Sequence, residues 1–341
     1  MQAVILVGGE GTRLRPLTLS TPKVMLPIMG VAMLEGVLAH LHRHGVDEAV
    51  LSLGYLPDRF IEAFPDGECA GVSLRYAVEP EPLDTAGAVR FAAEELGVTD
   101  TFVVVNGDVL TDLDVTSLVA FHRAAGAEGT VALHPVEDPS RFGVVPTDED
   151  GRVIAFVEKP PAGTAPTNEI NAGTYVFEPA FLDRVPLGKR VSIDRATFPE
   201  MVAAGVLFAK SDDGYWLDTG TPEAYLQAHD DLLEGRRAML ITRGRMEGSS
   251  YLLPGATIGQ GANVDRSVLD TDVTVAADAI VDASVVLPGA VIGRGAEVRG
   301  SIVGPGARVG DGAVLEPTTV LGRGVEIEAG RVVHGERVPS S

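Results

Sequence analysis

From about residue 250 onward an aliphatic residue recurs at every sixth position, with glycines and other small residues between. Ile280, Val286, Ile292 and Val298 follow this period and then, after a one-residue slip, so do Val303, Val309, Leu315, Leu321 and Ile327. Such a pattern predicts a parallel β-helix in which each hexad forms one face of a triangular coil and successive coils stack their aliphatics. About four coils fit. Prisms of this kind trimerise or pack end to end, so the segment reads as a scaffold or oligomerisation module.

Upstream, to about residue 235, the texture is different. The apolar runs Ala49 to Leu53, Leu74 to Val78, Phe102 to Val105 and Val131 to Pro135 alternate with amphipathic stretches such as Leu34 to His44. That alternation predicts a doubly wound, mostly parallel α/β sheet with right-handed crossovers, whose ligands collect beyond the carboxyl ends of the strands. The expected organisation is an α/β domain over 1–235, an Arg-rich linker over 236–249 and the repeat domain over 250–335.

A glycine-rich turn falls at one such strand end. Ala3-Val4-Ile5-Leu6-Val7 has the apolar, β-branched character of a strand buried on both faces, and Gly8-Gly9-Glu10-Gly11-Thr12-Arg13-Leu14-Arg15-Pro16-Leu17-Thr18 follows, closed by Pro22-Lys23. Three glycines let the backbone approach a ligand and aim N–H groups at it, while Arg13 and Lys23 supply two charges for polyphosphate oxygens. The spacing is neither that of the dinucleotide fingerprint nor that of a Walker A loop. Asp108 follows the Phe102 to Val105 run and so reaches the same kind of strand end.

Composition narrows the partners. A net charge of −21 excludes nucleic acid and anionic membrane as main ligands, since both require a basic surface, and leaves phosphate binding to local cations and metal ions. The single cysteine, Cys69, excludes an intramolecular disulfide framework and fits a reducing compartment. The chain starts directly with a core strand, and no apolar run approaches membrane-spanning length, so a cytoplasmic location is expected.

Taken in order, Gly9 to Thr18 with Pro22-Lys23, Asn106-Gly107-Asp108, Phe142-Gly143-Val144-Val145, Val157-Glu158-Lys159-Pro160, Ile170-Asn171-Ala172-Gly173 and Trp216-Leu217-Asp218-Thr219-Gly220 resemble the motifs of the sugar-1-phosphate nucleotidyltransferases. The likeness runs from residue 3 to 220, and the hexad tail matches the family's long members, whose β-helix is left-handed. Glu158-Lys159-Pro160, Asn171-Ala172-Gly173 and Ser192-Ile193-Asp194 with Phe198-Pro199 look most like the mannose-1-phosphate guanylyltransferases. The reaction this resemblance implies is in-line attack of a sugar-1-phosphate oxygen on the α-phosphorus of a nucleoside triphosphate, with pyrophosphate leaving.

Both reactants are anionic, so such a site must cancel repulsion and hold the reacting atoms in line. The resemblance implies that Asp108 and Asp218 bind Mg²⁺, and that Arg13 and Lys23 hold the triphosphate and stabilise the departing pyrophosphate. It implies that Leu6, Gly8, Gly9, Gly11, Thr12, Arg13, Glu79, Thr85 and Gly107 face the nucleotide. Gly143, Glu158, Lys159 and Asn171 would receive the sugar phosphate, with Arg195 as a further candidate. No base is needed, because the attacking phosphate is already ionised at neutral pH.

Glu79 bears on base choice. The family's uridylyl and thymidylyl members place Gln there, whereas a carboxylate only accepts and suits the adjacent N1–H and N2–H donors of guanine, which favours GTP. Asp84 departs from a position usually held by glycine; at positive φ an Asp would be strained, and its carboxylate would sit near the base. His40 and His44 share a helix face but lack a third ligand nearby, so the His40, His42, His44 cluster reads as surface histidines. Three alternatives remain beside GTP and mannose-1-phosphate. One is glucose-1-phosphate with UTP or dTTP, another a pseudosugar phosphate, and the third a non-catalytic nucleotide-sugar sensor. Acyltransfer in the β-helix is disfavoured, because the tail's only histidine, His334, lies beyond the last clear hexad.

Overall fold

The computed structural model describes residues 1–339. It separates into two compact units, one of Met1–Gly8 with Val37–Trp216, the other of Gly9–Gly36 with the chain from Leu217 onward.

The first unit is built on a ten-stranded mixed sheet. At its centre the strands Val72–Val78, Glu48–Leu53, Gln2–Leu6 and Phe102–Asn106 lie side by side, all parallel, with Leu6 registered against both Ser52 and Asn106. These are the apolar runs expected from the sequence, and Ala3, Val4, Ile5, Val103 and Val104 are fully buried, as strands covered on both faces require. The long strand Glu169–Phe177 then runs antiparallel to Phe102–Asn106 and carries Gly129–Pro135, also antiparallel, along its other edge. Helix Asp84–Leu96 packs Ala86, Val89, Ala92, Ala93 and Leu96 into the core, and its small side chains let it lie close to the strands. The parallel register brings Gly8, Gly54, Glu79 and Gly107 to one edge, the carboxyl edge, where a doubly wound sheet gathers ligands.

The second unit contains the parallel β-helix. Three stacked sheets form its faces, their parallel strands beginning at Ser250–Leu252, Thr257–Ile258 and Asn263–Asp265, and the first of them is extended by Arg245–Glu247 running antiparallel to Ser250–Leu252. Register advances by seventeen residues per coil, as from Leu252 to Leu269, Val286 and onward, with one longer step from Val303 to Leu321. A coil is therefore two six-residue legs and one of five, and the slip seen in the sequence recurs in nearly every turn. Counting back from Val286 by five places Val281, not Ile280, in the interior: Val281 is fully buried and Ile280 is partly exposed. The described strands close about five coils rather than four.

A polar ladder explains the short leg. Ser250, Ser267, Ser284 and Ser301 stack at its corner, each nearly or fully buried. The hydroxyls of Ser250, Ser267 and Ser284 each accept from the next serine's N–H one coil on, at 3.1 to 3.2 Å, and those of Ser267, Ser284 and Ser301 donate to the carbonyl two residues before them. Small residues that satisfy the backbone internally let the corner tighten without orphaning a buried N–H.

The histidine cluster is not at the surface as a group. His40 is buried and its Nε2 lies 3.0 Å from the Leu113 carbonyl, while His44 meets the Thr116 hydroxyl. Burial of His40 follows from helix Met33–Arg43 turning that face inward. Among the described residues no helix is long and apolar enough to cross a membrane.

Candidate functional site

In the first unit, the nucleotide candidates cluster where the parallel strands end. Gly8 follows the Gln2–Leu6 strand; a Cβ there would stand 3.2 Å from the Gly54 nitrogen and 3.6 Å from Glu79 Oε1. Gly107 hydrogen-bonds the Leu6 carbonyl, and a Cβ on it would reach 2.7 Å from Val7. These glycines are there because backbones converge. Asp108 comes next and is half-buried at the same edge.

Glu79 is committed on both oxygens. Oε1 accepts from the Ser52 hydroxyl and Oε2 from the Leu83 N–H, each at 2.9 Å, so the carboxylate braces the turn that leads into helix Asp84–Leu96. Asp84 does adopt φ +60°, the left-handed conformation that the family's glycine would adopt freely. Its Oδ1 accepts from the Thr85 N–H at 2.8 Å. The Thr85 hydroxyl accepts from the Ile193 N–H at 2.8 Å, and Ala86 and Gly87 donate to Val191, so the segment around 191–193 closes over this helix start.

The sugar-phosphate candidates form a second cluster of the same unit. Gly143 and Glu158 face each other across an antiparallel pair, and a Cβ on Gly143 would press on Phe156 at 2.8 Å and Glu158 Oε2 at 3.2 Å. Lys159 sits at φ +45°, is held by its N–H to the Phe142 carbonyl, and sets Nζ 3.2 Å from Glu158 Oε1. A bulge in strand Glu169–Phe177 falls between Asn171 and Tyr175, where Gly173 at φ +76° packs its α-carbon on Asn106.

Asn171 turns inward. Its Oδ1 accepts from the Gly173 N–H at 3.0 Å, and its Nδ2 donates to the Tyr175 hydroxyl at 2.9 Å and reaches Asp194 Oδ1 at 3.4 Å. Arg195 is exposed beside that aspartate. Trp216 donates to the Ala172 carbonyl at 2.9 Å and stacks on His134 and edge-on to Phe142, giving the cluster an aromatic floor.

Asp194 is the residue sequence reasoning missed. It lies in a π-helical turn over Ile193–Thr197, and burial, reinforced by the neighbouring Glu158 and Asp84 carboxylates, pushes its carboxyl up to about 6, against the lowering pull of Asn171 and Lys159. A half-buried acid with a raised pKa amid other polar groups is a candidate functional residue. The sequence held a signal in Ser192-Ile193-Asp194, but only the fold brings that turn to Asn171.

In the second unit, Gly11 at φ +61° packs against Lys23 and Thr18, and the Thr18 hydroxyl donates to its carbonyl at 2.9 Å. Gly9 and Thr12 extend this loop. Lys23 is 7% exposed, rare for an ammonium without function or partner. Its Nζ lies 3.6 Å from Asp218 Oδ1, and Arg13 lies 3.8 Å from Asp218 Oδ2. Gly220 donates to Asp218 Oδ1 at 2.9 Å, and any side chain at Gly220 would collide with the Arg13 guanidinium. One carboxylate thus gathers the loop's two cations, and the glycine is needed to let the guanidinium in.

The nucleotidyl transferase family model matches residues 2–235, more than two thirds of the chain. The chain belongs to the nucleotidyl transferase family. A second model, described as the GMPPB C-terminal domain, matches residues 246–341. Relatives of this nucleotidyl transferase include the mannose-1-phosphate guanylyltransferase of Mycobacterium tuberculosis, 40% identical with 83% of each chain aligned. Mannose-1-phosphate guanylyltransferase 1 of Arabidopsis thaliana is 36% identical, over 83% of this chain and 78% of that one. Among solved structures, HddC from Yersinia pseudotuberculosis complexed with GMP-PN is similar at 30% identity and a TM-score of 0.58, covering 67% of this chain and 98% of that one.

Proposed function

We propose that this nucleotidyl transferase makes GDP-mannose from GTP and mannose-1-phosphate, releasing pyrophosphate. The observation that carries the reading is the gathering of Arg13 and buried Lys23 around Asp218 on a glycine loop, in a chain whose relatives are named mannose-1-phosphate guanylyltransferases. Guanine as the base is supported by the similar structure solved with GMP-PN and by Glu79, whose oxygens each keep a second acceptor site beside the bonds from Ser52 and Leu83.

In this reading Leu6, Gly8, Gly9, Gly11, Thr12, Thr85 and Gly107 line the nucleotide, while Arg13 and Lys23 bind the triphosphate and take up the charge that grows on the leaving pyrophosphate. Lys159 anchors the sugar phosphate, assisted by Arg195. Glu158 and the Gly143 amide meet sugar hydroxyls. Asn171 supports them by fixing the Tyr175 hydroxyl and the Asp194 carboxylate, which keeps spare acceptor capacity toward a hydroxyl. The sugar-phosphate oxygen forms a bond to the α-phosphorus as the bond from that phosphorus to the β-phosphate oxygen breaks.

Asp108 and Asp218 fit Mg²⁺ as hard oxygen donors, two carboxylates being what this ion takes when substrate phosphates and water complete its shell. When bound, it neutralises phosphate charge and helps align the two reactants. We further propose a catalytic domain over 1–235, a connecting stretch over 236–249, self-association through the β-helix at 250–335, and a cytoplasmic setting consistent with the single cysteine.

Asp108→Asn and Asp218→Asn test the metal assignment. Each should lower Mg²⁺-dependent pyrophosphate release by at least about a hundredfold while the folded protein keeps its near-UV signature. Near-normal turnover in both would overturn it.

A further inference from the structure

The loop with Arg13 and Lys23 has little regular structure of its own. It is three short 3₁₀ turns, Thr12–Leu14, Leu17–Leu19 and Lys23–Met25, joined by prolines. By compactness the whole Gly9–Gly36 segment groups with the chain from Leu217 onward, and three sets of contacts within that unit show why.

Pro27 is held by helix Pro222–Leu233: the Tyr225 hydroxyl donates to its carbonyl, and buried His229 also hydrogen-bonds its backbone. Gly30 abuts Leu253 so closely that a Cβ would overlap it, and Arg243 reaches the Glu35 carboxylate at 2.6 Å and the Gly30 carbonyl at 3.4 Å. The third set lies nearest the cations. Pro16 is buried, and a Cβ on Gly322 of the β-helix would stand 3.1 and 3.2 Å from Pro16 Cβ and Cγ, and 3.3 Å from Pro339. The neighbouring Arg323 Nε donates to the Ser20 hydroxyl at 3.4 Å.

We infer that the late coils of the β-helix hold the triphosphate loop in its binding shape, with Gly322 and Arg323 as positioning residues for the nucleotide. The inference rests on assigning that loop to the triphosphate. Pro16 is linked to Arg13 through one tight turn, since Arg15 N–H bonds the Thr12 carbonyl and Leu19 N–H bonds the Pro16 carbonyl. A push on Pro16 therefore moves the guanidinium's base. Gly322 lacks a side chain at the one place where a side chain would deliver that push, and its φ is not in the left-handed region, so the absence of a Cβ there is about space rather than backbone strain. The repeat domain thereby acquires a task in the reaction beyond assembly.

The test is nucleotide binding and steady-state kinetics of the full chain. Gly322→Val should raise the calorimetric Kd for GTP with Mg²⁺, and the KM for GTP, by about five- to tenfold, since sub-ångström misplacement of a binding group costs on that order. Arg323→Ala and Ser20→Ala, both surface changes that leave the coil packing intact, should raise both about two- to threefold. The KM for mannose-1-phosphate should stay within about twofold of the unmodified protein. A merely structural role would move both KM values together or neither. Unchanged GTP affinity in all three variants, or equal shifts for both substrates, would overturn the inference. A wild-type protein that binds GTP but turns over a different sugar phosphate overturns the proposed sugar alone, whereas one that binds no nucleoside triphosphate overturns both.

Discussion

Replacing Asp194 by Asn should stabilise the first unit, and by an amount that depends on pH. The Asp194 carboxyl is raised from 3.8 to about 6, so the folded chain resists its ionisation. A group raised on folding contributes stability that is fully present below its unfolded pKa and is lost as pH rises through the folded one. From 3.8 to about 6 the difference amounts to about 3 kcal/mol at pH 8, and by the same linkage to about 1 kcal/mol at pH 4.5. Asn cannot ionise, yet its oxygen can still accept from Asn171 Nδ2, so Asp194→Asn should gain about 3 kcal/mol at pH 8 and about 2 kcal/mol less at pH 4.5. The chain's one tryptophan, Trp216, is bonded to Ala172 in this cluster, so its fluorescence during urea unfolding reports the right region. The variant should also lose affinity for mannose-1-phosphate, because stability gained by removing a strained polar group from a site is usually offset in function. A gain equal at both pH values, or a loss at pH 8, would refute the reasoning.

Glu79→Gln should lower kcat/KM for GTP relative to UTP and dTTP by about tenfold, beyond a common loss of about 1 kcal/mol, because Gln cannot accept from both Ser52 and Leu83; an equal drop for all nucleotides would leave Glu79 as a loop brace alone. Ser284→Ala removes the acceptor of the buried Ser301 N–H and should cost about 1–3 kcal/mol in thermal unfolding; no shift in Tm would remove the ladder from the account of coil stability. Burial pushes His229 down from 6.5 to about 4, so its neutral form stabilises the second unit above pH 6.5 and that contribution, about 3 kcal/mol, is lost as pH falls through about 4; His229→Gln should flatten this acid limb in calorimetry, and an unchanged limb would contradict it.

Features set by local pattern were readable from the chain. The central strands, the glycine turn after Leu6 and the hexads all announce themselves within a few residues, because buried parallel strands and β-helix legs each impose a short period. Asp84 was readable in the same way: a residue standing where glycine is usual takes the φ that glycine would. Features that depend on how distant segments meet were not. Ile280 and Val281 are adjacent and both β-branched, and only the seventeen-residue coil decides which one points inward. Asn171 has the donor and acceptor for a sugar hydroxyl, yet a bulge turns both onto Gly173, Tyr175 and Asp194. Asp194 itself is raised by burial, reinforced by the carboxylates at 158 and 84, and both the burial and those neighbours come from segments far from it in sequence. The same holds for the loop that carries Arg13 and Lys23, whose neighbours at Gly322 and Arg323 lie some three hundred residues away, as the Ser20–Arg323 separation of 303 shows.

The measurement that bears most directly on the central claim is Mg²⁺-dependent pyrophosphate release across GTP, ATP, UTP, CTP and dTTP, each paired with mannose-1-phosphate and with glucose-1-phosphate. A dominant signal for GTP with mannose-1-phosphate, accompanied by GDP-mannose in equal amount, is the predicted result. Dominant turnover of another pair would contradict the assignment of base or sugar, and no release from any pair would contradict catalysis itself.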